Sequence, residues 1–255
     1  MARTALITGA SSGLGAEYAR QLAARGTDLV LVSPEREVLA ELAEQLGASF
    51  RVEVDVLVAD LLVGRECEQV VRRLTDPARP IDMLVNSAGF GLHLHFDRND
   101  IDDEARHLKL HVEVPMRLTH AALGPMLERG SGRIVNVASV AGFVPFSTYG
   151  ACKGWLISFS EWANGRYSAR GVTVTAVCPG FTRTRFHERM GLPRREMGLP
   201  RWMWLDARDV VAESLRDIAR GKAVSVPSLR YRAIVAVTRV VPARLLSRAG
   251  ARGRR

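Results

Sequence analysis

Tyr149 and Lys153 stand four residues apart in Tyr149-Gly150-Ala151-Cys152-Lys153, a stretch that reads as the start of a helix. Four residues is close to one helical turn, so both side chains leave the same face. A neighbouring ammonium favours phenolate, so the pair predicts a tyrosine pKa below the ordinary value near ~10 and a phenol able to give or take a proton. Lysine is scarce here: only Lys109, Lys153 and Lys222 occur among 36 basic residues. A compact ammonium can sit beneath a ring and reach a hydroxyl, a task for which the broad guanidinium of arginine is unsuited.

A second chemical signal lies near the amino terminus, in Thr8-Gly9-Ala10-Ser11-Ser12-Gly13-Leu14-Gly15. It follows the apolar run 3–8 and precedes a helical pattern, 16–25, closed by Gly26. A glycine-rich turn between strand and helix lets backbone amides approach a pyrophosphate at the positive end of the helix dipole.

Elements must bring these two stretches together. The pattern predicts strands at 28–33, 50–59, 81–86, 132–138, 172–178 and 223–226, with helices at 35–46, 65–74, 102–129, 148–169 and 207–220. Asp206 is the expected N-cap of the last helix and Gly221 its stop. Alternating strands and helices with short connections imply an α/β fold: one doubly wound Rossmann-type domain, with a mainly parallel sheet of about seven strands. The ligand crevice belongs at the carboxyl ends of those strands. The domain is expected over 1–228, with a lid near 185–205 and a basic amphipathic tail at 229–255.

Composition narrows the class. Three scattered cysteines, Cys67, Cys152 and Cys178, suit a reducing cytoplasm better than a disulfide scaffold. No 18-residue apolar stretch could span a bilayer, and Met1 leads straight into a strand-like run, so no signal peptide is expected. The net charge of +9 is uneven, because ten cations and no acidic residue follow Asp217, leaving residues 1–217 near neutral. In the tail, Tyr231, Ile234, Val235, Val241, Leu245 and Leu246 form an apolar stripe interleaved with arginines and interrupted by Pro242. Such a segment can lie on an anionic membrane surface, or pack against the body or a second subunit. Nucleic acid is not an expected partner, because the charge sits on one terminal segment without a recognised binding module.

The glycine stretch together with Tyr149-x-x-x-Lys153 resembles the short-chain dehydrogenase/reductase family. Asn86-Ser87-Ala88-Gly89, Ser139 and Pro179-Gly180-Phe181-Thr182-Arg183-Thr184 agree in order, so the resemblance covers about residues 3–226. It implies a nicotinamide cofactor and hydride exchange with a carbonyl or alcohol carbon. Tyr149 would then pass the proton to or from the substrate oxygen, Ser139 would hydrogen-bond that oxygen, and Lys153 would hold the nicotinamide ribose. Cofactor contacts are implied for Gly9, Ser11, Ser12, Gly13, Leu14 and Gly15, for Asp60 and Leu61 after the third strand, for Asn86, Ala88 and Gly89, and for Pro179, Gly180, Thr182 and Thr184. Asp60 would contact the adenine amino group.

Departures from the family pattern mark what is particular to this chain. His111 stands where the family's long helix usually carries an asparagine; an imidazole there can relay a proton through water near neutral pH, or simply be a core histidine. Ser139 precedes Tyr149 by ten residues, a few fewer than usual, and Ser87 replaces a commonly seen asparagine. The second strand ends Val32-Ser33-Pro34-Glu35-Arg36, which favours NADP(H) through Arg36, Ser12 and Ser33, with Glu35 and NAD(H) as the alternative. Met190, Met197, Trp202, Met203 and Trp204 give the lid an apolar, aromatic character suited to an apolar carbonyl or alcohol substrate, or merely to packing. His93 and His95, without an acidic or thiol partner, do not make a metal site. Dimers or tetramers through the long helices follow from the resemblance. The rival reading is a catalytically weak cofactor-binding regulatory or membrane-surface protein on the same fold.

Overall fold

The computed structural model describes residues 3–92, 95–184, 186 and 200–240. Seven strands form one parallel sheet: β1 (Thr4–Thr8), β2 (Asp28–Ser33), β3 (Val54–Val58), β4 (Met83–Asn86), β5 (Gly132–Val137), β6 (Val172–Val177) and β7 (Val224–Ser225). Their order is β3-β2-β1-β4-β5-β6-β7, so the chain winds outward in both directions from β1 and β4. The crevice at that switch point is where such sheets take their ligands.

Alternate residues of each strand feed two cores. Ala5, Ile7, Leu29 and Leu31 pack beneath α1 (Gly13–Ala23), α2 (Arg36–Phe50) and α7 (Ala207–Ala219). Leu6, Val30, Leu84 and Ile134 pack on the opposite face, with α3 (Gly64–Thr75) and α5 (Val114–Glu128) supplying Val70, Leu74, Leu118 and Met126. Among the described residues the remaining α-helical elements include α4 (Ile101–Leu108), α6 (Thr148–Tyr167) and α8 (Leu229–Val240).

Two element boundaries differ from expectation for identifiable reasons. Gly47 does not end α2; the helix runs on to Phe50 and stops at Arg51, whose φ of 56° is left-handed, so β3 begins at Val54 rather than residue 50. The single helix expected over 102–129 is interrupted by a π-helical turn at Lys109–Glu113. There the Val114 N–H donates five residues back, to Lys109, and Pro115 has no N–H to return to the carbonyl of residue 111. His111 sits in that widened turn.

At the switch point, buried Thr8 joins β1 to β4. Its hydroxyl accepts from the N–H groups of Ser87 (3.0 Å) and Ala88 (3.1 Å). Beneath it, Asn86 Nδ2 donates to Asn136 Oδ1 (2.9 Å), and Asn136 Nδ2 donates to Ser160 Oγ (2.9 Å), tying β4, β5 and α6 together in the dry interior.

Candidate active site

Ser147 caps α6 by accepting from Gly150 N (3.1 Å), which sets Tyr149 in the first turn and Lys153 one turn on. Lys153 Nζ lies 5.5 Å from the Tyr149 ring centroid and donates to the Val137 carbonyl at the end of β5 (2.7 Å). Ser139 Oγ accepts from Ala141 N (3.1 Å) and hydrogen-bonds Tyr149. The short Ser139–Tyr149 connection is wound into a 3-10 turn, Val140–Phe143, that lies on α6; a Cβ on Gly142 would meet Gly154 N at 2.7 Å. Close backbone contact thus lets ten residues hold serine and tyrosine together.

The electrostatics correct one expectation. Tyr149 was expected below its ordinary pKa, but desolvation by the surrounding protein raises it to about 12, with Ser139 pulling weakly the other way. Burial likewise lowers Lys153 to about 8. Lys153 Nζ is bonded to a carbonyl rather than to the phenol, and desolvation exceeds the attraction of an ammonium at this range.

His111 is buried, with Nε2 2.6 Å from the Phe90 carbonyl. Nε2 therefore carries the proton and donates, while Nδ1 is a buried acceptor without a partner among the described residues. Burial, then the charge of Lys153, holds its pKa well below 6.5, so His111 is a neutral imidazole rather than a group titrating near neutral pH. Its ring lies 5.6 Å from Tyr149 and 4.3 Å from His107. His107, also buried, is lowered to about 4 by desolvation, and its Nδ1 is 4.0 Å from Cys152 Sγ. Sequence reasoning passed over His107, although its place four residues before His111 was the available signal.

A cavity of about 1040 Å³ runs along the strand ends from Ser33, Pro34, Glu35, Asp60 and Leu61 to Tyr149, Thr184 and Phe186. Gly9, Ser11, Ser12, Gly13, Leu14, Ala88, Gly89, Pro179, Gly180 and Thr182 line it, as do Ser139, Lys153 and His111. Gly9 has φ 65°, and a Cβ there would stand 2.7 Å from Ala88 Cα, so the β1 turn and the β4 end close on each other only at glycine. Gly15, Arg36 and Asn86 are not lining residues: Gly15 is packed beneath the turn, Asn86 is in the polar network under the sheet ends, and Arg36 begins α2 with an exposed side chain. Glu35 is the charged residue that reaches the cavity at the end of β2, where Ser33 Oγ donates to its Oε2 (3.1 Å).

A family model described as short chain dehydrogenase matches residues 3–193. The chain belongs to the short-chain dehydrogenase family. Sulfoacetaldehyde reductase 2 of Chromohalobacter salexigens is 36% identical over 192 residues, 73% of this chain and 75% of that protein. Among solved structures, a short-chain dehydrogenase from Sphingobium yanoikuyae in complex with NADPH is 35% identical, covers 93% of this chain and 94% of its own, and superposes with a TM-score of 0.85. The bulky-bulky ketone specific alcohol dehydrogenase from Comamonas testosteroni is 31% identical, with 94% and 95% coverage and a TM-score of 0.80.

As a member of this family the chain is an NAD(P)-dependent oxidoreductase. The residues present fit a nicotinamide dinucleotide: glycine opens the turn after β1, Ser11, Ser12, Thr182 and Thr184 line the cavity, and Tyr149 and Lys153 stand at its far end. That far end is walled by α8, a contribution the sequence left open. Tyr231, Ile234, Val235 and Thr238 of α8 line the cavity beside Met203 and Phe186. Tyr231 is buried; its ring lies against Gly180, and its hydroxyl donates to the Met203 carbonyl (2.7 Å) and accepts from Phe181 N (3.1 Å). Of the other lid and histidine positions, Trp204 packs on Phe181 with ring centroids 5.7 Å apart, Trp202 is exposed, and His95 lines the cavity. Met190, Met197 and His93 lie outside the described residues.

Proposed function

We propose that this chain interconverts a carbonyl and an alcohol on a mainly apolar small molecule, with NADP(H) as the preferred cofactor and Tyr149 as the acid/base. The observation that carries this reading is the convergence of Ser139, Tyr149 and Lys153 on the apolar end of one cavity whose other end is polar and glycine-lined. The cofactor, when bound, supplies or accepts hydride. Tyr149 Oη gives its proton to the oxygen on which charge develops in reduction, and takes it back in oxidation. Ser139 Oγ orients that oxygen beside the phenol. Lys153, bonded to Val137, places a positive charge near the ring where developing phenolate gains from it. Phe146, Phe186, Met203 and Val235 give the substrate end an apolar wall that excludes water.

The NADPH complex of the Sphingobium relative and the Ser12 and Ser33 hydroxyls in the cavity support NADP(H). Glu35 on the cavity favours the second reading, NAD(H), because a carboxylate accepts from a ribose hydroxyl and repels a phosphate. Work in the cytoplasm is consistent with three cysteines that are all buried. Pairing of two copies is supported by the ladder Trp155, Phe159, Trp162 and Tyr167 on α6, of which Trp162 is exposed.

Titration with NADPH and NADH, followed by turnover of Tyr149→Phe on an apolar ketone, tests the proposal. Tighter NADPH binding and a roughly 10²–10⁴-fold loss of turnover with cofactor affinity unchanged are expected. Binding of neither cofactor at millimolar concentration, or full turnover by the variant, would overturn it.

A further inference from the structure

Helix α8 is apolar on both of its sides. Its inward residues Tyr231 and Val235 are buried against the body, yet its outward positions read Leu229, Arg230, Ala233, Ile234, Ala236 and Val237. Leu229 is 77% exposed and Val237 57% exposed. A helix with apolar residues on its solvent side needs something to cover it.

The charges around the helix select what that is. Arg232 pairs with Glu213 and approaches Asp217, Lys222 pairs with Asp217 (2.6 Å), and Arg230 donates to the Trp202 carbonyl (2.6 Å). Glu213 and Asp217 of α7 are thus already committed, to Arg232 of α8 itself and to Lys222 of the body. From Arg239 to the end of the chain the sequence adds Arg244, Arg248, Arg252, Arg254 and Arg255, with Leu245 and Leu246 among them, and no acidic residue. A second copy docked on α8 would bring two such segments together, which like-charge repulsion opposes. An anionic lipid surface meets both requirements, since acyl chains accept the apolar side chains and headgroups attract the arginines. No helix among the described residues is long enough and apolar enough to cross a membrane.

We propose that α8 and the arginine-rich segment after it seat the enzyme on an anionic lipid surface. The same helix walls the substrate end of the cavity, and Ile234 is both partly exposed and cavity-lining, so the seated protein turns the mouth of its substrate chamber toward the lipid. Resting on the function proposed above, the substrate is then an apolar carbonyl or alcohol compound dissolved in the bilayer.

The test is co-sedimentation of the full chain with vesicles of phosphatidylcholine alone and with about 30% phosphatidylglycerol, at low and high salt. At least tenfold greater partitioning onto the anionic vesicles is expected, falling as salt rises. The double variant Leu229→Ser, Val237→Ser and, separately, deletion of residues 241–255 should each lower that partitioning about tenfold or more. Neither serine change touches the cavity lining, so NADPH affinity and melting temperature of the double variant should stay as in the parent. Equal pelleting with neutral and anionic vesicles overturns the proposal. So does a double variant that pellets like the parent, or a dimer by light scattering that Val237→Ser splits without vesicle binding. Cofactor titration without vesicles keeps the two readings apart: its failure sinks the oxidoreductase and leaves the lipid result standing.

Discussion

Replacing Tyr231 by phenylalanine removes one oxygen atom and detaches the C-terminal helix from two segments at once. The hydroxyl donates to the Met203 carbonyl at 2.7 Å and accepts from the Phe181 N–H at 3.1 Å, and the ring that carries it is buried against Gly180. Each hydrogen bond contributes about 0.5–1.5 kcal/mol, and a partner left dry and unpaired costs about 1–3 kcal/mol. Met203 is half-buried and its carbonyl can regain water in part, so the expected loss is about 2 kcal/mol. For a domain of this size that lowers the melting temperature by roughly 4–8 °C. Phe181 lies between Gly180 and Thr182, both on the cavity, so release of the 179–182 turn should also weaken cofactor binding. Differential scanning calorimetry gives the first quantity and fluorescence titration with NADPH the second. A melting temperature within about 1 °C of the parent would refute the reasoning, because two bonds of this geometry in a dry contact cannot be lost at no cost.

Acid should destabilise the protein through its buried histidines. His107 is held at about 4 and His111 well below 6.5, so between pH 6.5 and 4 the unfolded chain binds protons that the native one does not. Stability therefore rises with pH through that window and falls on acidification, by about 3 kcal/mol at pH 4 from His107 alone. Urea midpoints at pH 7 and pH 4.5 measure this, and His107→Phe should flatten the difference; an unchanged slope in the variant would assign the acid sensitivity elsewhere. Asn136→Ala removes the centre of the buried amide chain and leaves Asn86 Nδ2 only the longer contact to Thr119 Oγ1 at 3.4 Å. A loss of about 2–3 kcal/mol is expected in denaturant unfolding, and a loss under about 0.5 kcal/mol would show that the network does not hold β4, β5 and α6 together.

The sequence determined the architecture because local rules sufficed. Apolar runs alternating with helical patterns forced a parallel sheet, the glycine turn after β1 marked its switch point, and Tyr149 and Lys153 one turn apart pointed to the candidate acid/base pair. Gly26 and Gly221 end their helices with positive φ, as their positions suggested, and Asp206 caps α7 by accepting from Arg208 N. Tertiary structure decided what depends on neighbours distant in sequence. Desolvation, not the charge four residues away, sets the pKa of Tyr149. The neutral state of His111 comes from burial and from the charge of Lys153, and its tautomer from the Phe90 carbonyl, none of which its own helix reveals. Whether Glu35 or Arg36 faces the cavity turns on where α2 begins, a matter of a single residue. Above all, the basic amphipathic segment was legible as such, but only packing could show that Tyr231 is pinned between Phe181 and Met203, making α8 a wall of the cavity. Spacing fixes which residues share a face; only the folded chain fixes what that face meets, and how much water remains there.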